Sequence, residues 1–244
     1  MTLMLGRKPA VRPIGLSDLR CYTATDSFPT APPVFAAPSG VEWGMDGNDT
    51  LGDCTIAGVD HLIAAWNVLF GVSDPRPSLS VLEAEYHALS PDDQGCVEAT
   101  VLADWLSPGL FGQTIAGYAP LDHRNEIELK QGVAFLGGAY LGIACPSSAQ
   151  EQFAEQQRTD KMIPWTVVPG AQIEGGHCIV AVGYTAIGLL CVTWGSIVEV
   201  TWTFLRKYLE EAWAIVSHEL AEKGTDTLGL NLAALQSDLA GIAS

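Results

Sequence analysis

Residues 47–54 read GNDTLGDC and form the most informative stretch of the chain. They are rich in the residue types that make turns. Apolar residues at helical spacing follow at once, namely Ile56, Val59, Ile63, Trp66 and Phe70. This pattern predicts a helix over Cys54–Phe70, with the Cys54 thiol at its N-terminus. There the helix dipole and the unpaired backbone amides favour a thiolate.

A second stretch, far downstream, offers a partner for that thiol. Residues 175–184 read GGHCIVAVGY, which predicts a strand with His177 near its start. An imidazole can accept the proton of a thiol. A cysteine at a helix start and a distant histidine on a strand are therefore typical of a nucleophilic thiol site.

The composition limits the functions that are open to the chain. Its 244 residues are 48% hydrophobic and 16% charged, whereas about 25% charged is usual. We expect a large core, or a surface that other subunits partly cover. The net charge of −16 argues against nucleic acids and anionic membranes as partners. We expect no membrane span and no signal peptide, because long apolar runs are missing from the sequence.

Six scattered cysteines without a C-x-x-C pair predict buried free thiols in a reducing compartment. We expect neither a metal site nor a cofactor. The predicted location is cytoplasmic, or virion-associated if the chain is encoded by a phage.

The order of the predicted elements indicates an α+β domain. Helices are predicted at Cys54–Phe70, Ser78–Leu89, Cys96–Leu106, Asn125–Leu136, Ser147–Gln157, Phe204–Ala212 and Leu230–Ile242. Strands are predicted at Ala139–Ala144, Trp165–Val168, His177–Tyr184, Leu189–Trp194, Val198–Trp202 and Ala214–Ser217. A helical N-terminal subdomain would therefore face a C-terminal antiparallel sheet across a cleft.

Three segments are predicted along the chain. Residues 1–42 are rich in proline and predict an extended arm that lies on its own domain or on a neighbouring molecule. Residues 43–222 form the main domain. Residues 223–244 form a C-terminal helical tail.

Several of these motifs occur together in a known family. Asn48 stands six positions before Cys54, the His177 strand continues to Val182-Gly183-Tyr184, and Trp194-Gly195 closes the next strand. Over residues 43–218 this order resembles the papain-like cysteine peptidase superfamily. More faintly, residues 47–55 together with the Thr-Trp-Gly of residues 193–195 are similar to a group of phage and prophage proteins.

The family resemblance implies a role for each motif. Cys54 would be the nucleophile and His177 its base, with the Cys54 backbone amide and the Asn48 side chain stabilising the oxyanion. Asp53 is expected to be a capping residue, since its charge beside the thiol would otherwise oppose a thiolate. His61 is expected to be a surface or groove residue, and Trp194 to pack beneath the histidine.

One family residue is missing from the expected set. The asparagine that orients the histidine is replaced by Val192, which has no side-chain hydrogen bond to offer. Thr193 is adjacent, but neighbours on a regular strand face opposite ways. A bulge could turn Thr193 inward, and Glu174 or a backbone carbonyl could substitute. A disused active site would show the same exchange.

The sequence leaves three functions open. The first is a thiol hydrolase that cleaves peptide, isopeptide or related amide bonds in a peptide or protein substrate. The second is an inactive papain-like scaffold that assembles with itself or with other proteins, for example as a virion component. The third is a module that binds peptide or cell-wall fragments in the same cleft without turnover.

Overall fold

The computed structural model describes residues 3–23, 29–223 and 230–242. The helices are α1 Cys54–Phe70, α2 Leu79–Leu89, α3 Glu98–Leu106, α4 Glu126–Leu136, α5 Ser147–Thr159, α6 Trp202–Tyr208, α7 His218–Lys223 and α8 Leu232–Ile242. The strands are β1 Gly117–Pro120, β2 Ala139–Pro146, β3 Ile173–Tyr184, β4 Gly188–Thr193, β5 Ser196–Thr201 and β6 Leu209–Val216.

The six strands form one antiparallel sheet in the order β1-β6-β2-β3-β4-β5. Three helices precede the first strand, and the long strands all come later in the chain. This arrangement confirms the predicted α+β class. The site depends most on β3, which lies between β2 and β4 inside the sheet.

Helix α1 packs directly against the centre of this sheet. Thirteen of its 17 residues are buried, and it has more contacts with β3 than with any other element. The Tyr140 hydroxyl on β2 donates to the Thr55 carbonyl in the first turn of α1 at 2.5 Å. Gly58 allows the close approach, because a Cβ there would lie only 2.8 Å from the Tyr140 ring and 3.2 Å from the Cys178 sulfur.

The N-terminal arm packs on the body of its own chain. Its regular structure within the described residues is a single 3₁₀ turn, Leu19–Tyr22. Further along, the backbones of Phe35 and Tyr184 exchange two hydrogen bonds, Phe35 N to Tyr184 O at 3.0 Å and Tyr184 N to Phe35 O at 2.8 Å. This contact attaches the arm to the end of β3. The boundaries proposed for the three segments stay predictions.

Two predicted elements differ from the structure. The helix predicted at Phe204–Ala212 is shorter, since α6 ends at Tyr208 and β6 begins at Leu209. The alternation of buried residues in a central strand is weak, so β6 could not be separated from the helix before it. The strand predicted at Trp165–Val168 is reduced to one bridge between Trp165 and Val200.

The other predicted helices and strands are present, most with ends that differ by a few residues, whereas β1 and α7 have no counterpart among the predicted elements. Helix α1 has the predicted bounds, and five of the six cysteines are buried and all six are free. Among the described residues, none of the helices has the length and hydropathy needed to cross a lipid bilayer.

Enlarging Gly58 should destabilise the fold. A valine there would push into Tyr140 and Cys178 at the centre of the α1–β3 contact, and overpacking of this kind costs about 1–3 kcal/mol of unfolding free energy. Urea unfolding of Gly58→Val measures the loss. Gly241→Ala is the control, since nothing lies within 4 Å of a Cβ added there. Equal stability of Gly58→Val and the wild type would contradict the packing described.

Candidate active site

Cys54 is the first residue of α1, as the turn-rich stretch before it predicts. Its side chain is buried, with 2% of its surface exposed. The sulfur accepts a hydrogen bond from the backbone N–H of Cys178 on β3 at 3.4 Å. The structure therefore brings the thiol against the strand residue that follows His177.

Burial dominates the acidity of this thiol. Removal from water raises the pKa of Cys54 to about 12, although the backbone amides of Cys178 and Gly6 act in the opposite direction. The carboxyl groups of Asp53 and Glu98 raise it further. In the closed structure Cys54 is therefore a neutral thiol at pH 7, and the effect of the helix N-terminus alone is too small to reverse this.

His177 lies on β3 with a fully buried ring. Its Nε2 is 2.7 Å from the Thr193 hydroxyl. Its Nδ1 is buried and makes no hydrogen bond within the described part of the chain. Burial lowers the pKa of His177 to about 3, with Arg7 and His61 contributing in the same direction, so the ring is neutral at pH 7.

The register of β3 and β4 explains how Thr193 reaches the histidine. The pairing shifts by one residue between Ala181 and Gly183. On the His177 side of this shift, Val180 faces Val192. In an uninterrupted ladder Val192 would lie on the face of His177. A one-residue shift exchanges the two faces, so Thr193 takes that position and Val192 turns away. The irregularity lies on β3, where Val182 is the extra residue.

Trp194 supports the other side of the histidine ring. The two rings stack with centroids 4.4 Å apart and an interplanar angle of 18°. Trp194 has φ 46° and Gly195 has φ 73°, which is the left-handed pair that a tight two-residue hairpin requires. The prediction that Trp194 packs against His177 is confirmed.

Asn48 is buried in the loop before α1. Its Nδ2 donates to the Leu51 carbonyl at 3.2 Å, and its backbone N–H donates to the Met45 carbonyl at 3.0 Å. One N–H of the side-chain amide thus stabilises the loop. The proposed contact of this amide with an oxyanion stays a prediction.

Asp53 is fully buried immediately before the candidate nucleophile. It occupies the N-cap position of α1 but makes no capping bond with its side chain. Neither carboxyl oxygen has a hydrogen-bond partner among the described residues. Burial raises the pKa of Asp53 to about 8, and the nearby Asn48 amide offsets this only in part. A protonated Asp53 removes the negative charge that would oppose a thiolate at Cys54.

The expectation for His61 is wrong, because this side chain is buried, with 3% exposed. Its Nε2 lies 2.9 Å from the Gly44 carbonyl and 3.2 Å from a carboxyl oxygen of Asp46. The apolar neighbours of His61 on α1 leave its burial undecided in sequence, since it depends on how the preceding loop folds back over the helix.

The arm covers the site. Gly6 and Arg7 run between two parts of the body: the Cys96 N–H donates to the Gly6 carbonyl at 2.9 Å, and the Arg7 N–H donates to the Gly176 carbonyl at 3.0 Å. The fit is close, because a Cβ on Gly6 would lie 1.6 Å from the Gly52 carbonyl oxygen. Three glycines therefore shape this passage directly beside Cys54 and His177.

Sequence reasoning missed two charged residues near the site, Arg7 and Glu98. Arg7 lies in the arm and has its side chain buried. Glu98, in the first turn of α3, is fully buried. Glycines at positions 52, 95 and 176 are the available signal, since clustered glycines beside reactive residues indicate close backbone approach.

The described residues contain no group of three or more His, Cys, Asp and Glu side chains that could hold a metal ion.

Replacing Asp53 should change how stability depends on pH. The folded state keeps a proton on Asp53 up to about pH 8, whereas an unfolded aspartate releases it near pH ~4. The folded state therefore loses stability as the pH rises through this window. Asp53→Asn carries no titrating proton, so its stability relative to the wild type should increase between pH 4 and 8. Urea unfolding at several pH values measures the difference, and a constant difference would contradict the buried neutral acid.

Comparison with known proteins agrees with the fold. The sequence matches no model of a protein family, and no curated protein matches it either. Solved structures do resemble it. Xylellain, a cysteine protease from Xylella fastidiosa, superposes with a TM-score of 0.64 at 13% identity, covering 88% of this chain and 96% of its own.

Two further structures show the same likeness. ProCathepsin B S9 from Trypanosoma congolense has a TM-score of 0.56 at 11% identity, covering 88% of this chain and 87% of its own. The cysteine protease and lectin-like domains of Cwp84 from Clostridium difficile have a TM-score of 0.54 at 11% identity, covering 78% of this chain and 54% of that one. The likeness to phage proteins finds no support among these structures and stays a prediction. The chain has the fold of papain-like cysteine proteases.

Proposed function

We propose that this chain is a papain-like thiol hydrolase that cleaves amide bonds in a peptide or protein, and that its own arm holds it in a closed form. One observation carries the proposal. The His177 ring is oriented by Thr193 and Trp194, while its Nδ1 remains unpaired among the described residues. On the same strand, the backbone N–H of the next residue, Cys178, donates to the Cys54 sulfur.

The proposed chemistry requires the Cys54 sulfur to come within reach of His177 Nδ1, since the two make no hydrogen bond in the closed structure. When the Nε2–H of His177 donates to Thr193, Nδ1 carries a lone pair that can accept the proton of Cys54. The thiolate attacks the substrate carbonyl and forms a tetrahedral intermediate. The protonated imidazole then gives its proton to the leaving amine, and a water molecule hydrolyses the thioester. The Cys54 backbone N–H and the Asn48 amide are the proposed donors to the oxyanion.

The closed form keeps this reaction off. The thiol pKa is raised to about 12 and the imidazole pKa is lowered to about 3, in both cases chiefly by burial. The proton therefore stays on sulfur. Withdrawal of Gly6 and Arg7 would admit water, which relaxes both shifts in the direction of an ion pair. Catalysis would thus require the arm to leave the cleft.

The inactive scaffold is the second candidate. The complete burial of His177 and the absence of a carboxamide at Val192 favour it. Against it stands the hydroxyl of Thr193, which lies 2.7 Å from His177 Nε2 and can orient the ring. An assembly partner, a virion context and an oligomer remain predictions from the sequence.

Displacing the arm should expose a reactive thiol. A methyl group on Gly6 would collide with the Gly52 carbonyl, so Gly6→Ala should lift the arm. Labelling of Cys54 by iodoacetamide at pH 7, followed by peptide mass spectrometry, should then be at least roughly tenfold faster than in the wild type. The exposed Cys21 is an internal reference in both proteins.

Two further variants complete the labelling experiment. Val11→Ala, an exposed position of the same arm, should label like the wild type. His177→Ala in the Gly6→Ala background should abolish the gain. If Cys54 of Gly6→Ala reacts no faster than Cys21 and does not depend on His177, the hydrolase proposal fails.

Thr193 should act as a positioning residue for His177. In the Gly6→Ala background, Thr193→Val removes the partner of Nε2, and misplacing the base should remove most of the gain in Cys54 labelling. Thr193→Ser keeps the hydroxyl and should retain most of the rate. The pH profile of labelling is the measurement. Equal rates for the valine and serine variants would refute the role.

A further inference from the structure

A buried arginine lies beside the candidate nucleophile. The Arg7 side chain is 1% exposed. One terminal nitrogen lies 2.6 Å from the Glu211 carboxylate, and the other donates to the Ile143 carbonyl at 3.3 Å and contacts the Glu210 carboxylate. The guanidinium is thus held on two sides by carboxylates and on a third by backbone.

The walls that hold this side chain form a definite pocket. The second oxygen of Glu211 accepts from the Trp213 indole at 3.0 Å, which fixes the carboxylate that pairs with Arg7. Gly142 leaves room for the Arg7 side chain, because a Cβ there would lie 2.7 Å from Arg7 Cδ and 2.8 Å from a Glu98 oxygen. We call Glu98, Glu210, Glu211, Gly142 and the Ile143 carbonyl the carboxylate pocket.

Besides the two carboxylates that pair with Arg7, the carboxylate pocket contains a third carboxyl group, that of Glu98. Both Glu98 oxygens are buried without a hydrogen-bond partner among the described residues. Burial, followed by repulsion from Glu211, raises the pKa of Glu98 well above its ordinary value. A buried carboxyl group without hydrogen-bond partners is costly for folding, and the positive charge of Arg7 offsets this cost only in part. It is therefore better explained by a binding role than by stability.

The backbone places this pocket next to the thiol. Arg7 N–H donates to the carbonyl of Gly176, the residue before His177. The backbone amide of the preceding residue, Gly6, interacts with the Cys54 sulfur and acts to lower the pKa of this thiol. A peptide lying in this passage would thus put one side chain into the carboxylate pocket while its backbone crosses the nucleophile.

The pocket also has a way out to solvent. A cavity of about 210 Å³ is lined by Arg7, Pro9, Glu210, Gly175 and Gly176, together with Ala144 and Ile173. Glu210 itself is half exposed, with 47% of its side chain accessible. The guanidinium therefore lies at the inner end of an open groove.

We propose that the carboxylate pocket recognises an arginine side chain of a peptide, and that Arg7 occupies it as an internal ligand. This specificity rests on the proposed hydrolase function for its purpose, but the binding itself needs no turnover. The fork of donors on a guanidinium matches Glu211 and the Ile143 carbonyl, whereas an ammonium group cannot satisfy both in the same way. The pocket should therefore prefer arginine to lysine.

The test uses the full chain with Cys54→Ser, which removes the thiol, Gly6→Ala, which lifts the arm out of the passage, and Arg7→Ala, which empties the pocket. The probe is a fluorescent peptide that copies residues 3–9, LMLGRKP, with versions carrying alanine or lysine in place of its arginine. Fluorescence anisotropy should show at least roughly tenfold tighter binding of the arginine peptide than of either version. Adding Glu211→Gln should remove most of this preference.

Arg12→Ala with Cys54→Ser is the matched control. Arg12 belongs to the same arm and pairs with Asp18 at the surface. In this control variant Arg7 still fills the carboxylate pocket and competes with the peptide at a high effective concentration. Peptide binding should therefore be weak and unselective. As a second readout, agmatine, which carries a guanidinium group, should raise the melting temperature of Arg7→Ala more than that of Arg12→Ala.

Circular dichroism establishes that each variant is folded. If Arg7→Ala does not fold, Arg7→Lys takes its place with the same peptides. Equal binding of the three peptides, or no binding together with no effect of agmatine on a folded variant, overturns the proposal. If the labelling experiment fails and arginine selectivity is intact, the hydrolase proposal is rejected and the binding site stands. If Cys54 labels as expected and the peptides bind equally, the binding site is rejected and the hydrolase proposal stands.

Discussion

The site depends on the contact between the first turn of α1 and the centre of β3. Gly58 permits this contact and the Tyr140 hydroxyl secures it through the Thr55 carbonyl. As a consequence, a strand amide donates to the sulfur of Cys54. A helix that stood farther from the sheet would separate the thiol from the strand of His177, and no local feature of either motif could compensate.

Burial then decides the electrostatics of everything placed there. Asp53, Cys54 and His177 all shift toward their neutral forms, because each has been removed from water. Three neutral groups are compatible with a closed interior, whereas a thiolate–imidazolium pair would not be stable without solvent or further hydrogen bonds. In the proposed function, the same residues are inert under the arm and become reactive once it leaves.

The arm supplies both the cover and a charged anchor. Its backbone fits a passage shaped by Gly6 and Gly52. The Arg7 side chain lies among carboxyl groups from α3 and β6. Under the proposed arginine specificity, the buried guanidinium, which is costly to desolvate, would connect the closing of the site to the choice of peptide that can replace the arm.

Part of this organisation was predictable from local patterns. Helical spacing after a turn-rich stretch predicted α1 with Cys54 at its start, and the alternation around His177 predicted β3. The boundary of β6 was not predictable, because a buried strand following a short helix shows no distinct periodicity. The burial of His61 depends on a loop that folds back over α1, and its neighbours in sequence do not reveal it.

The sequence by itself determined which residues are available for chemistry and which local elements carry them, since turns, caps and periodicity are short-range properties. Only the tertiary structure decided that Thr193 and not Val192 faces His177, because a one-residue shift in β3 sets the face. It alone decided that Arg7 meets Glu211, 204 residues away in the sequence. Register shifts and long-range ion pairs arise from packing, and packing leaves no local pattern.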